Sequence, residues 1–533
     1  MQKRIRIVSV SIVLVIVLIG IIVINNNSNN KYSFTQDGIK YALTLDGEKT
    51  TSFPSKGMYQ VQVSCDNANG KWLYDEWKLA IENIKGDISC DISFNTITKT
   101  NLNDYIISLA GTEQGTGQMV KEIANILDYS SAVAVSESSY SSQSVFSSTS
   151  YSSPSGTAVS GVYTFADNKW TSVPSAMTSD TYYHFKFNPS EPGYYQMCYD
   201  LSAGNSNNRI LANVNTTWRA FGSSSDVSAS TSASKSGCIA LGYVSTTDYI
   251  KIVQKAYTDI STLSFSIKKV PIAKSFIDTR YEGKNPNNYI WFNNEYWRII
   301  GVFDSASHGQ DNKNLVKIIR ADVLDGLAWD KSGKNDWTTS SLKSLLNGAY
   351  YNAEDGTNSG YCYGYDKTIT GNCDYTKKGI QSDYRGMIAN VTWYLGGYSS
   401  NYATAEAFYG YERGTTVYSE RPTSTTGYIG LMYPSDYGYS VLASSCARTT
   451  DLSNYNRAQC AGASWLYGKG NEWTLTPNSS GNSSVFNLIY VGYLNYFYSA
   501  SNGYGTRPVL YLDASVYKID GDGSLENPYI IGM

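Results

Sequence analysis

The 533-residue sequence predicts a transmembrane helix at the N-terminus, followed by extracellular domains built mainly of β-strands. Three observations predict this class of fold. An uncharged apolar run occupies residues 7–24, short stretches of alternating apolar and polar residues recur through the rest of the chain, and eight cysteines fall into four local couples. The apolar run is typical of a membrane-spanning helix, and the alternation is typical of half-buried strands. Local couples of cysteines are typical of exported proteins with disulfides.

The apolar run contains 18 residues, which at about 1.5 Å per residue cover most of a hydrocarbon core roughly 30 Å thick. Lys3, Arg4 and Arg6 precede the run, and positive residues stay on the cytoplasmic side of a membrane. Residues 1–6 are therefore predicted to be a cytoplasmic stub and residues 7–24 a single-pass signal-anchor in the cell membrane. The rest of the chain, including its C-terminus, is predicted to lie outside, at the cell surface.

A cleaved signal peptide is the competing interpretation of the same residues. Cleavage would need a small-x-small site after the apolar run. Residues 25–30 are asparagines and one serine, and they contain no such site. Both interpretations export the chain.

The cysteines indicate an oxidising compartment, because an even number in local couples is typical of disulfides. Only two histidines, His184 and His308, occur in the chain, so a zinc site or a histidine-based catalytic site would have to use one of them. We therefore predict no metal, no cofactor and no catalytic residue. The predicted disulfides join Cys65 with Cys90, Cys198 with Cys238, Cys362 with Cys373, and Cys446 with Cys460.

Charge and composition favour binding surfaces over nucleic-acid contacts. The net charge is -3 and charged residues make up 16% of the chain, so we predict no nucleic-acid partner. Tyrosine is abundant, with 47 residues. Tyrosine supplies a rigid contact surface with a hydrogen-bonding tip, and it also suits β-strands.

Residues 31–96 are predicted to form a small β-sandwich. Apolar and polar residues alternate in residues 59–65 and 88–92, which is the period of a half-buried strand. Cys65 and Cys90 lie on the apolar face of these strands, so we expect an inward disulfide across the sandwich. Such a bond would stabilise a domain with a small core.

Two connecting segments follow. Residues 97–128 are predicted to be a helical or irregular connector. Residues 129–160 contain 15 serines among 32 residues, a composition that buries too little apolar surface to fold. We predict a flexible Ser-rich linker there.

Residues 161–270 are predicted to form a second sandwich. Tyr183, Phe185 and Phe187 alternate with polar residues, and short strands at close spacing are typical of this architecture. The plan is similar to a carbohydrate-binding jelly roll, an analogy of fold that leaves a structural spacer equally open. Further strands are predicted at residues 194–201, 210–221, 238–244, 249–253 and 263–267.

The last domain, residues 280–533, opens with an aromatic-rich hairpin at 289–303 and closes with a strand at 505–512. These segments resemble a family of bacterial surface proteins with a C-terminal domain of unassigned function, related to the sulfatase-modifying-factor and C-type-lectin-like fold. The resemblance implies an α+β C-type-lectin-like domain. Further segments similar to the family lie at residues 337–346, 426–436 and 472–477.

The same resemblance implies an insertion. In similar proteins a segment like residues 102–122 runs almost directly into one like residues 280–286, whereas about 155 residues intervene here. The linker and the jelly-roll-like sandwich are therefore expected to be inserted. The small sandwich also resembles the module that such proteins carry after their membrane helix.

The fold family includes formylglycine-generating oxidases, whose chemistry needs a reactive cysteine pair near the C-terminal end. The last cysteine here is Cys460, which couples with Cys446. No residue of this chain therefore matches the reactive cysteine pair of the oxidases. Glu-Pro-Asn and Gln-Pro-Asp motifs of calcium-dependent lectins do not occur. Residues 520–524 resemble a calcium loop only slightly, and we predict a closing turn.

The ligand-binding residues are predicted in residues 473–506, which contain 34 residues and no charged or histidine side chain. In C-type-lectin-like proteins the ligand-binding loops lie in this part of the chain. A surface of Tyr, Asn, Ser and Gly is typical of adaptable binding sites, while a buried pair of strands would also explain the missing charge. The predicted ligand-binding residues are Asn487, Tyr490, Tyr493, Asn495, Tyr496, Tyr498, Asn502 and Tyr504.

These observations together predict a membrane-anchored bacterial cell-surface binding or adhesion protein. Its partner at the cell exterior is expected to be a glycan or a protein. Two alternatives stay open, a structural envelope protein and an extracellular carbohydrate-active enzyme. The enzyme would use a carboxylate pair among Glu406, Glu412, Asp436 and Glu472.

Overall fold

The protein is described here by a computed structural model. Leu14 and Val15, the two described residues of the predicted membrane segment 7–24, form a short strand beside Lys78–Glu82. The other residues of that segment lie outside the described part of the chain. Within the described residues, no helix is long and apolar enough to cross a membrane. The structure describes residues 14–15, 33–36 and 39–533, except 75, 151–155, 204–207, 215–216, 220–225, 229–233, 366–367, 369–371, 457 and 469.

The predicted β-rich architecture is confirmed, because strands contain 44% of the residues and helices 12%. The four predicted disulfides are confirmed as well. Each forms between the two cysteines of one local couple.

The N-terminal domain consists of two small sheets around one core, which includes Tyr41, Trp72 and Phe94. Cys65 lies directly opposite Cys90 on neighbouring strands, and the disulfide joins them. One sheet contains Ser33–Gln36, Ile39–Leu45, Ile88–Thr96 and Tyr59–Asp66, with Glu48–Thr50 beside Ile39–Leu45. The other contains Leu14–Val15, Lys78–Glu82 and Asn69–Leu73.

The predicted connector, residues 97–128, is only partly helical. Helix Leu102–Ser108 is followed by a 12-residue strand, Thr116–Leu127. That strand pairs antiparallel with Ile272–Asn285 and so belongs to the main sheet of the C-terminal domain. The sequence did not indicate the strand Thr116–Leu127, because its partner strand lies far along the chain.

The C-terminal domain is built on an eight-stranded sheet, in which Leu315–Arg320 lies between the opening and closing strands of the domain. In order across the sheet, the strands are Glu113–Gln114, Thr116–Leu127, Ile272–Asn285, Glu295–Phe303, Leu315–Arg320, Val509–Leu512 and Ile429–Gly430, with Tyr289–Phe292 beside Glu295–Phe303.

Smaller sheets and short helices complete this domain. A five-stranded sheet contains Gly326–Ala328, Gly503–Gly505, Glu472–Pro477, Val485–Leu488 and Leu494–Asn495. Val391–Tyr394 pairs with Ser424–Gly427, and Tyr517–Asp520 lies between Ile530–Gly532 and Thr100–Asn101. The helices and helical turns are Ser305–His308, Trp337–Thr339, Ser341–Leu345, Leu346–Tyr350, Ser382–Arg385, Ala405–Glu412, Pro434–Tyr439, Leu452–Asn454 and Ala461–Ala463.

The second sandwich packs two antiparallel sheets around one core. The first sheet contains Tyr163–Ala166, Lys169–Ser172, Leu263–Val270, Gly193–Leu201 and Lys235–Val244, with Val133–Ala134 beside Leu263–Val270. The second contains Thr157–Ala158, Tyr140–Ser148, Thr181–Pro189, Ile250–Ala256, Arg209–Val214 and Thr217–Arg219, with Asp226–Ser228 beside Arg209–Val214. Short helical turns lie at Glu137–Ser139 and Pro174–Ala176.

The Ser-rich segment, residues 129–160, is therefore not a flexible linker over its described part. It contributes strands to both sheets of the sandwich. Tyr140 and Val145 pack against the core, while Ser141 and Ser144 are exposed. A few apolar residues at inward positions are enough to anchor a strand that is otherwise made mostly of serine.

The chain leaves the main sheet to form the sandwich and returns to the sheet at a neighbouring position. Leu127 and Ile272 are register partners on neighbouring strands, so residues 128–271 join two adjacent positions. The Asn125 amide donates to the Tyr194 hydroxyl at 3.0 Å, and that hydroxyl donates to Glu406. These hydrogen bonds hold the sandwich against the helix Ala405–Glu412.

Candidate functional site

The charge-free stretch, residues 473–506, is half core and half surface. Strands Glu472–Pro477 and Val485–Leu488 are buried along their whole length. Asn487 lies between two neighbouring strands, and Tyr496 packs on Phe486. Both side chains are at most 4% exposed and belong to the core, where a ligand at the surface does not contact them.

The other six predicted ligand-binding residues are at least partly accessible. Tyr490 and Tyr498 are exposed, and Tyr493, Asn495, Asn502 and Tyr504 are half-buried. Tyr490 follows the strand Val485–Leu488, whereas the carbonyl of Tyr498 accepts from the amide of Val485 at its start. These two tyrosines therefore lie at opposite ends of that strand.

Tyr498, Tyr504 and Tyr365 form the centre of an aromatic surface. The rings of Tyr498 and Tyr504 are 5.4 Å apart. A Cβ atom on Gly503 would lie 2.7 Å from the backbone nitrogen of Tyr365, so the two chain segments touch. Partial burial raises the pKa of Tyr504, and the nearby hydroxyls of Tyr498 and Tyr365 add to the rise.

A second loop, which the sequence analysis missed, supplies the rest of this surface. Tyr361 and Tyr365 are 43% and 66% exposed, and Tyr498 is 40% exposed. The Lys331 ammonium lies 5.9 Å from the ring of Tyr361 and donates to the carbonyl of Gly360 at 3.0 Å. The missed signal is a set of alternating tyrosines around the first cysteine of a disulfide, residues 361–365.

We call this set the tyrosine surface: Lys331, Tyr361, Tyr365, Tyr498, Asn502 and Tyr504. Aromatic faces can stack on apolar patches of a ligand, while the hydroxyl and amide groups at their tips form hydrogen bonds. Asn502 donates to the Tyr504 hydroxyl at 3.2 Å. Lys331 supplies the one charge within this set.

A separate group of ionised side chains lies in the core of the C-terminal domain. Asp436 is its centre, with the Lys317 ammonium 2.5 Å from one carboxylate oxygen and the Arg280 guanidinium 3.2 Å from the other. The backbone amide of Tyr433 also donates to Asp436, at 2.8 Å. Arg280 pairs in turn with Asp278 at 2.8 Å.

A third carboxylate, Glu412, completes the group together with Arg413. Glu412 ends the helix Ala405–Glu412, accepts from the amide and hydroxyl of Ser435 at 2.9 and 2.5 Å, and pairs with Arg413 at 3.1 Å. The six charged side chains are each at most 2% exposed, and their charges balance. We call this set the ionic cluster: Asp278, Arg280, Lys317, Glu412, Arg413 and Asp436.

Burial sets the protonation equilibria of the ionic cluster. It raises the pKa of Glu412 to about 7, against the opposing effects of Arg413 and Ser435. It lowers the pKa of Lys317 to about 8, although the charge of Asp436 opposes the change. For Asp436 burial alone would raise the pKa, but Lys317 and Arg280 together lower it below its ordinary value.

Among the four carboxylates of the enzyme alternative, two lie in the ionic cluster. Glu472 is also buried, with the Arg507 guanidinium 2.6 Å away. Glu406 accepts hydrogen bonds from Tyr194 and Asn125 at the contact with the sandwich. All four carboxylates are therefore held by neighbouring donors.

Residues 520–524 form a turn that holds two domains together. The Asp520 carboxylate accepts from the Gln60 amide at 3.1 Å and from the Tyr74 hydroxyl at 2.8 Å. The Asp522 carboxylate accepts from the backbone amide of Ser524 at 2.9 Å.

Replacing Glu412 with glutamine is expected to change how stability depends on pH. The folded-state pKa of Glu412 lies above its ordinary value of 4.5, so its contribution to stability is fully present below pH 4.5 and is lost as the pH rises to about 7. The slope from one such group is at most about 1.4 kcal/mol per pH unit. Denaturant titrations from pH 4 to 8 should show this falling component in the wild type relative to the Glu412→Gln variant.

Burial lowers the pKa of His184 and of His308 to about 4, so these residues give a slope of the opposite sign. The wild type and the Glu412→Gln variant both contain these histidines. The difference between their curves of stability against pH therefore reports the contribution of Glu412 alone. Parallel curves over this pH range would contradict the assignment.

Comparisons with known proteins identify no family for the chain. No family model and no curated protein matches it. Among solved structures, a secreted serine protease, VesC from Vibrio cholerae, is similar with 7% identity and a TM-score of 0.16. The match covers 40% of this chain and 40% of that one. A TM-score of this size carries no argument about fold or activity.

Proposed function

We propose that this chain is a cell-surface binding protein, held in the membrane by its N-terminal residues, that recognises a glycan or a protein through the tyrosine surface. The observation that carries the proposal is the meeting of two distant loops, one closed by the Cys362–Cys373 disulfide, in a patch of accessible aromatic rings. Exposed aromatic groups in one patch are typical of interaction sites.

The location outside the cell is supported by the disulfides. All eight cysteines are paired, and disulfides persist in oxidising compartments. The anchor rests on the uncharged run at residues 7–24 with basic residues before it. Extraction of membranes with alkaline carbonate tests it, and release of the full chain into the soluble fraction would contradict it.

The variant Tyr365→Ser/Tyr498→Ser is expected to weaken ligand binding by about 10- to 100-fold. Both side chains are well exposed, so the loss would come from missing contacts rather than from a damaged core. Truncating central aromatic residues of an interface costs roughly 2 kcal/mol or more. The measurement is binding of the detergent-solubilised full chain to a glycan array and to an array of extracellular bacterial and host proteins.

The matched control is Tyr402→Ser, which removes an exposed tyrosine of the same domain outside the tyrosine surface. We expect this variant to bind like the wild type. Equal losses in both variants, or no loss in the double variant, would contradict the proposed site. A wild-type chain that binds nothing on either array would instead favour the structural envelope protein.

A further inference from the structure

One loop of the tyrosine surface, residues 361–365, presents its tyrosines in a row. Burial alternates along this loop, because Cys362 and Gly364 are buried while the three tyrosines are exposed or half-buried. Neighbouring tyrosines of the row are two residues apart, so their Cα atoms are separated by at most about 7 Å. The disulfide from Cys362 to Cys373 ties the buried side of the row to the core. The row is therefore a short, pre-formed strip no longer than about 14 Å.

A positive charge lies beside this row. The Lys331 ammonium is 5.9 Å from the ring of Tyr361 and 5.0 Å from the ring of Tyr363. An ammonium has three hydrogen-bond donors, and the carbonyl of Gly360 accepts from one of them at 3.0 Å. Lys331 is an exposed residue, so a ligand that covers the row can accept from the ammonium as well.

The charges around Lys331 favour a negatively charged ligand. The adjacent carboxylate, that of Asp330, is 5% exposed and accepts hydrogen bonds from three backbone amides on the inner side of its loop. The two segments that form the rest of the surface, residues 360–365 and 498–505, contain no acidic residue. An acidic ligand group at the surface would therefore meet the Lys331 ammonium and no carboxylate of these segments.

The accessible aromatic area favours a small ligand over a folded protein. Tyr361, Tyr365 and Tyr498 are 43%, 66% and 40% exposed. With roughly 200 Å² for one tyrosine side chain, these three expose roughly 300 Å². A stable protein interface buries about 800 Å² on each partner. The surface therefore has the size for a short oligosaccharide, whose rings carry apolar C–H faces for stacking and hydroxyls for hydrogen bonds.

We propose that the ligand of the tyrosine surface is an acidic oligosaccharide, an inference that rests on the proposed function. The faces of the sugar rings stack on Tyr365 and Tyr498, and an acidic group of the same ligand pairs with Lys331. The Asn502 amide nitrogen donates to the Tyr504 hydroxyl at 3.2 Å, and its oxygen accepts from a sugar hydroxyl. The aromatic contacts are common to neutral and acidic glycans, so the contact with Lys331 supplies the selectivity.

The test compares acidic oligosaccharides with neutral forms of the same chains, using the detergent-solubilised full chain. The probes are oligogalacturonate and hyaluronan oligosaccharides, each with its methyl ester, and dextran sulfate with dextran. We expect the wild type to bind at least one acidic probe about tenfold or more tightly than its neutral form, because a hydrogen bond to a charged group contributes about that factor. Equal affinities for the two forms, or no binding of any acidic probe, would overturn the inference.

Replacing Lys331 with glutamine tests the contact with the acidic group. We expect Lys331→Gln to bind the acidic probe about tenfold more weakly and to bind the neutral form like the wild type. Lys331→Arg should keep most of the affinity, because arginine retains the charge and the contact with the rings. The matched control is Lys313→Gln, which removes an exposed lysine of the same domain outside the tyrosine surface. A loss in Lys331→Arg or in Lys313→Gln as large as that in Lys331→Gln would overturn the inference.

The variant Tyr365→Ser/Tyr498→Ser separates a failure of this inference from a failure of the proposed function. We expect it to weaken binding of the acidic and neutral forms by the same factor, because the rings contact the sugar faces and not the charge. If this variant loses a protein partner and the wild type binds no acidic probe, the tyrosine surface stands as a binding site and the acidic oligosaccharide is overturned. Binding of an acidic probe that the variant leaves unchanged would overturn both.

Discussion

Replacing Asp436 with asparagine is expected to lower the free energy of unfolding of the C-terminal domain by about 3–5 kcal/mol. Asparagine has nearly the same shape, so little packing is lost. The change removes the negative charge that both Lys317 and Arg280 face, and these cations are at most 2% exposed. A buried charge without its counter-charge is far more costly than a buried pair is favourable.

The measurement is urea denaturation followed by tryptophan fluorescence, with the transition of the C-terminal domain fitted separately. Asp311→Asn is the control, because Asp311 is an exposed carboxylate of the same domain. We expect it to change stability by less than about 0.5 kcal/mol.

Replacing both Lys317 and Asp436 should lower the free energy of unfolding less than replacing Asp436 alone. The variant Lys317→Met/Asp436→Leu takes away a positive and a negative charge together and replaces them with apolar groups. We expect it to be more stable than Asp436→Asn, since the penalty of the single change comes mainly from the uncompensated cations. A single variant with a loss below about 1 kcal/mol would mean that water reaches the ionic cluster.

Replacing Cys65 and Cys90 with serine is expected to unfold the N-terminal domain while the C-terminal domain stays folded. The disulfide closes a loop with a sequence separation of 25, which corresponds to about 3–4 kcal/mol. The domain has a small core, so a loss of that size is comparable to its whole stability. Limited proteolysis should cut within residues 39–96 and leave a stable C-terminal fragment.

The matched control replaces Cys362 and Cys373. That disulfide closes a shorter loop, with a separation of 11, and it belongs to the large core of the C-terminal domain. We expect this domain to stay folded with lower stability. Equal protease resistance of the wild type and the Cys65→Ser/Cys90→Ser variant would contradict the role of the first disulfide.

Local patterns in the sequence predicted the fold well where the partners are local. The alternation at residues 59–65 and 88–92 corresponds to the strands Tyr59–Asp66 and Ile88–Thr96. The pairing of Thr116–Leu127 with Ile272–Asn285 was out of reach, because no local pattern specifies a partner so distant along the chain. Average composition also concealed the strand Tyr140–Ser148 among its serines.

The candidate site could be predicted only in part, for a similar reason. A charge-free stretch suits both a buried strand and an aromatic surface, so composition alone could not separate Asn487 in the core from Tyr498 at the surface. Tyr365 comes next to the segment of Gly503 and Tyr504 only through tertiary contacts. The ionic cluster likewise brings together residues from four separate parts of the chain, between Asp278 and Asp436.

The single point of attachment of the sandwich has a consequence for how this protein can diversify. Leu127 and Ile272 are already neighbours across two strands, so a tight turn could join them in place of residues 128–271. A gene segment for that stretch could be lost, gained or exchanged without changing the register of the main sheet. The whole sandwich is therefore a unit that can be exchanged while the strands on either side of it keep their pairing.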